Sequence, residues 1–435
     1  MIRINNRNLI LLICMFLPLS YIPGIFVTEL SALILIIYFV FKNKSLEYFQ
    51  NNLIIAFIIF SIYIAVVAIV KIDHNDLKIS SIFYFRYTIL ALSICYVLNF
   101  SRNNLIETKN ALLIIYFLYL FIFFDSFYQF LIGKNLFGFE LINERVSGIF
   151  GTELILGSFL IKTLPLLLWL TFYFKFDLKK NKLFLIFFFS FFLITIYLSG
   201  GRTSFALMMI SIILIIFFIK PLKKIFLYSL IGLIFFISLT SLNVFGKSVI
   251  FERMVKKSFN QITNNLFLDG DNMVFTQEKL SDSKKKITKN LRLFSEEHQG
   301  HYQLAMNLFF QNPVVGVGPK GFRFHCRKIN YNSEIGICST HPHNTAIQIL
   351  SETGFIGFLF YITFLFFIFF NLLKFWKKKL DFYEKNGFLV ISIGLLIYLF
   401  PLLPSGNFFN NWISLILFNY LGFYLYSYNI LKKND

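Results

Sequence analysis

Charge is scarce in this sequence: only 14% of its 435 residues are Asp, Glu, Lys or Arg. A soluble domain needs more charge than that to cover its surface, so a soluble globular class is excluded. Acidic residues are the scarcer half, 22 against 41 basic ones, for a net charge of +19. In a soluble chain that excess would point to nucleic acid. Here most basic residues fall in short loops between apolar runs, where they anchor topology, and no nucleic-acid partner is expected. Cysteine is down to four, with Cys326 and Cys338 twelve apart, and His298 and His301 lack the glutamate of a zinc-protease helix. Neither spacing suits zinc, so no metal and no other cofactor is expected. The sequence shows no internal repeat and no soluble second domain.

What is abundant is apolar: 57% of residues are hydrophobic and 61 are Phe. Apolar runs lie at 9–22, 24–41, 52–70, 82–100, 111–132, 153–173, 183–199, 204–219, 222–242, 346–373, 387–403 and 408–430. They make about twelve spans, each near the roughly 20 residues a helix needs to cross a bilayer. The first two are short and are split by Pro23 and Gly24. Arg3 and Arg7 precede the first run as in a signal peptide, but no small-x-small cleavage site follows, so it reads as a retained helix. The expected fold class is an all-α polytopic membrane protein with one large outer loop. Residues 1–242 form an N-terminal membrane region of about nine helices, 243–345 the loop, and 346–435 a C-terminal region of about three.

Loop charge supports this count. With the N-terminus in the cytoplasm, inside loops hold Lys42 and Lys44; Arg102 and Lys109; Lys175, Lys179, Lys180 and Lys182; Lys220, Lys223 and Lys224; Lys374, Lys377, Lys378, Lys379 and Lys385; and Lys432 and Lys433. The short outside loops hold only Lys71, Lys78, Lys134, Arg145 and Arg202. Cytoplasmic loops are enriched in Lys and Arg, so both termini are expected in the cytoplasm. The loop 243–345 lies outside, and a long loop translocates whatever its charge. Its middle, 260–292, is polar and Lys-rich. Its Asp269–Gly270–Asp271 looks like the metal-binding pair of nucleotide-sugar transferases, but nucleotide sugars are not available outside the membrane, and coincidence is the better reading.

Candidate chemistry gathers on the outer side. Five of the six histidines, His298, His301, His325, His341 and His343, lie in the large loop. Histidine is the side chain suited to taking a proton from a hydroxyl near neutral pH. Arg86 and Lys162 lie inside apolar runs near their outer ends, where a cation is costly and rarely idle; snorkelling to the interface is the bland reading. Arg145, Arg202, Arg253 and Arg323 are further outer cations, and guanidinium offers a planar fork of donors to phosphate oxygens. Glu297 beside His298, and Glu153, are carboxylates on the same side.

Residues 341–357 read HPHNTAIQILSETGFIG. His343, Asn344, Gly354 and Gly357 match the O-antigen ligase pattern of His followed by Asn, Ser or Gln, nine residues, Gly, and a small position three on. Just before it, 311–322 read QNPVVGVGPKGF, which looks like the family's asparagine-proline, glycine-valine-glycine-proline turn; 199–204 read SGGRTS, similar to the family's Ser-Gly-x-Arg entry into its shared domain. RVSGIFGTELILGS at 145–158 and PLLPSGNFFNNW at 401–412 are also typical. The chain thus resembles the O-antigen ligase and polymerase family over nearly its whole length.

The resemblance implies a GT-C-like, metal-independent glycosyltransferase of the inner membrane. Its donor would be an undecaprenyl-pyrophosphate-linked glycan, and its acceptor lipid A-core or, in a polymerase, another lipid-linked glycan. Membrane lipids are the remaining partners. The family spacing makes His343 the catalytic base, with Arg202 and Arg253 at places where family arginines act. Arg86, Arg145, Lys162, Arg323, His341 and Asn344 are the expected substrate-binding residues. Some relatives have been labelled small-anion transporters, which intramembrane cations also suit. Cys326 and Cys338 both face an oxidising compartment, where a disulfide is expected and would contribute about 3 kcal/mol by loop entropy. Lys320, Arg323, Arg327 and Lys328 form a basic patch expected to draw an anionic acceptor.

Overall fold

The computed structural model describes residues 6–43, 47–101, 109–246, 249–260, 296–330 and 338–433. The Lys-rich middle of the large loop, Asp269–Gly270–Asp271, and Arg3, Lys44 and Arg102 lie outside the described residues. Among the described residues the chain is helical, with only two isolated β-bridges, Lys134–Glu140 and Ile142–Arg145. The longer helices are α1 (Asn6–Phe16), α2 (Ile25–Lys42), α3 (Asn52–Lys71), α4 (Asn75–Ile82), α5 (Phe85–Ser101), α6 (Lys109–Ile132), α7 (Leu156–Tyr173), α8 (Lys182–Leu198), α9 (Arg202–Phe218) and α10 (Lys220–Ser241). They continue as α11 (Glu296–Gln311), α12 (Phe322–Asn330), α13 (Thr345–Lys377), α14 (Phe382–Tyr398) and α15 (Asn411–Lys433).

Seven helices among the described residues are long and apolar enough to cross a membrane, counting α4 and α5 as one; α8 and α9 are shorter apolar helices. The apolar run 9–22 forms a helix only to Phe16, followed by a turn, and α2 starts only after Gly24. Large apolar side chains such as Phe26, Phe41 and Leu183 are more than 70% exposed. Apolar exposure on that scale suits lipid rather than water. The chain is a multi-pass membrane protein.

Its centre is α7, walled by α14 and α15. Trp169 of α7 donates its indole N–H to Ser427 of α15 at 2.8 Å and stacks on Tyr173 with ring centroids 4.7 Å apart. Buried Tyr and Trp keep a polar partner in this way, while their rings fill the core.

On the side that carries the chemistry, a small satellite core of Ala305, Leu308, Val317, Phe322 and Cys326 holds α11 and α12 over the start of α13. The junction is made by backbone. Gly354 interrupts α13 with φ 65° and ψ −167°, a conformation essentially restricted to glycine. The break frees carbonyls above it and N–H groups below it, and the turn 313–318 takes both. Val317 and Gly318 donate to the carbonyls of Ser351 and Glu352 at 3.0 and 2.9 Å, and Phe355 donates to Pro313 at 2.8 Å. A Cβ on Gly354 would drive into the Val314 carbonyl. Gly354, matched above by its spacing after His343, makes this kink. Gly354→Ala adds backbone strain to a clash and should cost about 3 kcal/mol or more, read as a lower melting temperature in detergent. A melting temperature equal to wild type would refute the clasp.

Candidate functional site

Helix α13 is capped by Asn344, whose side chain accepts from Ile347 N at 3.0 Å and donates to the Pro401 carbonyl at 2.8 Å. Its neighbour His343 sits at φ 59°, and the His343 carbonyl accepts from Ser405 N at 2.8 Å. The turn 401–411 therefore braces both residues. His343 Nε2 lies 2.9 Å from Ser339 Oγ, and His341 Nδ1 lies 3.0 Å from Thr340 Oγ1.

Four histidines meet here. The His343 ring is 4.1 Å from that of His341, 5.3 Å from His301 and 5.4 Å from His298, centroid to centroid. His298 and His301 share one face of α11, as their spacing of three dictates. His301 and His341 are buried and His343 is half-buried. The Cys326–Cys338 disulfide, with Cα atoms 5.5 Å apart, ties α12 to the strand of chain that leads into Ser339 and the histidines.

Burial, then the neighbouring imidazoles of His298 and His301, push His343 down to about 4. Burial and then His343 push His341 down to about 3. Both values lie below the ordinary histidine value near 6.5, so these imidazoles are neutral, and able to accept a proton, from mild acid upwards. Transfer that depends on His343 should stay level from pH 8 to about pH 5 and fall only near 4. A fall centred near 6.5 would contradict this. The same shifts set a stability trend. Below about pH 6.5 the unfolded chain takes protons that the folded one refuses, so stability is lost between about 6.5 and 3.

A second cluster lies at the turn from α8 to α9. Arg145 Nε donates to the Ser199 carbonyl at 3.0 Å, and Arg253 Nε donates to the Gly200 carbonyl at 3.1 Å. Arg202 opens α9 on the same turn. Burial and then Arg253 hold Arg145 below the usual arginine value, and burial and then Arg202 do the same for Arg253. Cations beside the last carbonyls of α8 are stabilised by the helix dipole, and the N–H groups that open α9 favour an anion. The arrangement concentrates positive charge at one turn.

The remaining candidates lie elsewhere. Arg86 is not part of this triad: it pairs with Glu29 at 3.1 Å and reaches Tyr87 Oη at 2.8 Å. Lys162 of α7 lies 5.5 Å from the centre of the Tyr398 ring, a cation–π contact. Arg323 is half-buried on α12, and Arg327 is exposed. Lys320 turns inward to Ser80 at 3.0 Å, so the basic patch read from the sequence does not lie on one surface.

Sequence reasoning passed over Glu352, which lies fully buried under this site. Its carboxylate accepts from Phe322 N at 3.1 Å and from Gln348 Nε2 at 2.9 Å, and Gln348 also reaches Asn407 at 2.7 Å and accepts from Phe408 N at 2.8 Å. This network joins α12, α13 and the turn 401–411. An acid inside an apolar helix was the signal available for it. Below Pro401, an apolar groove of about 330 Å³ runs between α9, α13 and α14, lined by Leu214, Ile362, Phe366, Phe369, Leu396 and Pro401.

Residues 186–362 match the O-antigen ligase family model. The chain carries an O-antigen ligase domain. The matched stretch begins in α8 and ends in α13, so it contains Arg202, Arg253, all four clustered histidines and the glycine clasp. The O-antigen ligase domain is that of a ligase- or polymerase-type glycosyltransferase of surface-polysaccharide synthesis, which works on lipid-linked glycans. No curated protein matches the chain.

Proposed function

We propose that the protein is an O-antigen ligase of the bacterial inner membrane, with about twelve spans and both termini cytoplasmic. It transfers a glycan from undecaprenyl pyrophosphate to lipid A-core on the periplasmic side, without a metal. His343 takes the proton of the acceptor hydroxyl as that oxygen bonds to the anomeric carbon. The bond from that carbon to pyrophosphate breaks, and the arginines Arg145, Arg202 and Arg253 receive the negative charge of the leaving group. The apolar groove beneath Pro401 takes the polyprenyl chain, keeping the reacting end at the outer surface.

The observation that carries this reading is the meeting of histidine rings at the capped start of α13, on a chain with a separate arginine cluster. A base and an anion site are what the reaction needs, because pyrophosphate is already a good leaving group. The same parts serve a polymerase, which differs only in its acceptor. Deletion of the gene, followed by gel analysis of surface polysaccharide, tests the assignment. Loss of a ligase leaves long chains on the carrier lipid, and loss of a polymerase leaves lipid A-core with a single repeat. Unchanged surface polysaccharide would refute both.

A further inference from the structure

The arginine cluster at the α8–α9 turn does not use all the cations on this side of the protein. Arg86, Lys320 and Arg323 form a second group, drawn from α5, the turn 318–322 and α12. Lys320 is held at φ 62°, a left-handed conformation that non-glycine residues avoid, and its ammonium is 3.0 Å from Ser80 Oγ on α4. That strained turn aims the side chain inward rather than into water. Facing these three cations are two carboxylates, Glu29 on Arg86 and Glu352 beneath the turn, and Glu352 is already engaged by Gln348 and Phe322 N. The group therefore carries an excess of positive charge.

The donors are also under-used. The Nε–H groups of Arg86 and Arg323 are buried, and among the described residues neither has a hydrogen-bond acceptor. A buried guanidinium N–H without an acceptor is costly, and buried polar atoms of this kind call for a partner. Burial and then Arg323 hold the Lys320 ammonium below its ordinary value, and Arg86 acts in the same sense while Glu352 opposes them. An anion placed among the three would relieve that repulsion. The group also borders the histidines: the charge of Arg323 acts on His341, whose ring is 4.1 Å from that of His343.

We propose that Arg86, Lys320 and Arg323 form a second anion site, distinct from the arginine triad, that binds a phosphate group of the acceptor and so presents the acceptor hydroxyl to His343. This rests on the reading of the protein as a glycosyltransferase with His343 as base. The phosphate has two possible sources, a phosphorylated core oligosaccharide or the pyrophosphate of a second lipid-linked glycan, and the ligand chemistry is the same in both.

The test uses the full-length protein in proteoliposomes, with a lipid-pyrophosphate glycan as donor and three acceptors: phosphorylated lipid A-core, the same acceptor after phosphatase treatment, and a second lipid-pyrophosphate glycan. The variant is Lys320→Asn with Arg323→Gln; asparagine tolerates the left-handed backbone, so the change removes charge without adding strain. The KM for a phosphate-bearing acceptor should rise about tenfold or more, while the donor KM stays within about twofold. The phosphatase-treated acceptor should show the wild-type enzyme no advantage over the variant. Which phosphate-bearing acceptor shows the rise identifies the source. Arg323→Lys alone keeps the charge and should lie between wild type and the double variant. An unchanged acceptor KM, an equal loss with all three acceptors, or a rise in donor KM instead would each overturn the proposal. Full transfer by His343→Ala would instead sink the assignment of the base, a result read independently of these acceptor constants.

Discussion

His343→Ala should lower the rate of glycan transfer by about 100-fold or more, with the protein still present in the membrane at wild-type level. The argument runs from geometry to chemistry. His343 is fixed by a left-handed backbone, by the Ser405 N–H on its carbonyl and by Ser339 on its Nε2, so its ring has a defined place. Burial, and then the rings of His298 and His301, hold it neutral, which leaves the ring able to accept a proton. The low basicity has a cost, since a weaker base gives less assistance, and this keeps the expected effect near the lower end of the range for general bases. The loss should appear in kcat with the donor KM little changed, because the arginine triad is intact. His341→Ala should cost less, since His341 is turned to Thr340 and acts on the reaction through His343. Transfer by His343→Ala within about threefold of wild type would remove this residue as the base.

The second large effect is expected at the α8–α9 turn. Arg202→Ala should reduce transfer by roughly 100- to 1000-fold, the scale seen when a charge-stabilising donor is lost from an active site. Arg202→Lys should recover only part of it. Lysine keeps the charge but loses the planar fork that matches two phosphate oxygens at once. Arg253→Ala should behave like Arg202→Ala, and it has a further structural cost because Arg253 holds the Gly200 carbonyl. Transfer assays on purified full-length protein at several donor concentrations separate these effects. Lysine and arginine giving equal rates at Arg202 would mean that the side chain serves only as a positive anchor at the membrane surface.

The helices were legible because a membrane imposes a simple rule. An apolar run must satisfy its own backbone, so runs such as 111–132 and 153–173 became α6 and α7 with little displacement. The break at Gly354 was not legible, since it depends on a backbone conformation and on hydrogen bonds to the turn 313–318, some forty residues earlier in the chain, a pairing that no local pattern announces. His343 and Arg202 stood out by spacing and by placement at helix starts. The pairing of Arg86 with Glu29 did not, because α2 and α5 are separated in sequence and each residue alone looks like an isolated charge in an apolar run. Lys320 was misplaced for a similar reason: four basic residues close together in sequence suggest one surface, and only the left-handed turn at Lys320 sends it inward.

The clasp between 313–318 and the kink of α13 has a consequence for how substitutions will be tolerated. Its bonds are made by main-chain atoms of Pro313, Val317, Gly318, Ser351, Glu352 and Phe355, which every amino acid but proline supplies in full. Swapping Val314, which is largely exposed, for another residue leaves each of those bonds intact. A saturation scan of this region should therefore give a sparse map: broad permissiveness at most positions, and near-complete intolerance at Gly316 and Gly354, where any side chain meets the opposing backbone. The position of the histidine cluster over the bundle is thus encoded by very few letters of the sequence, and genetic damage to it will concentrate on them.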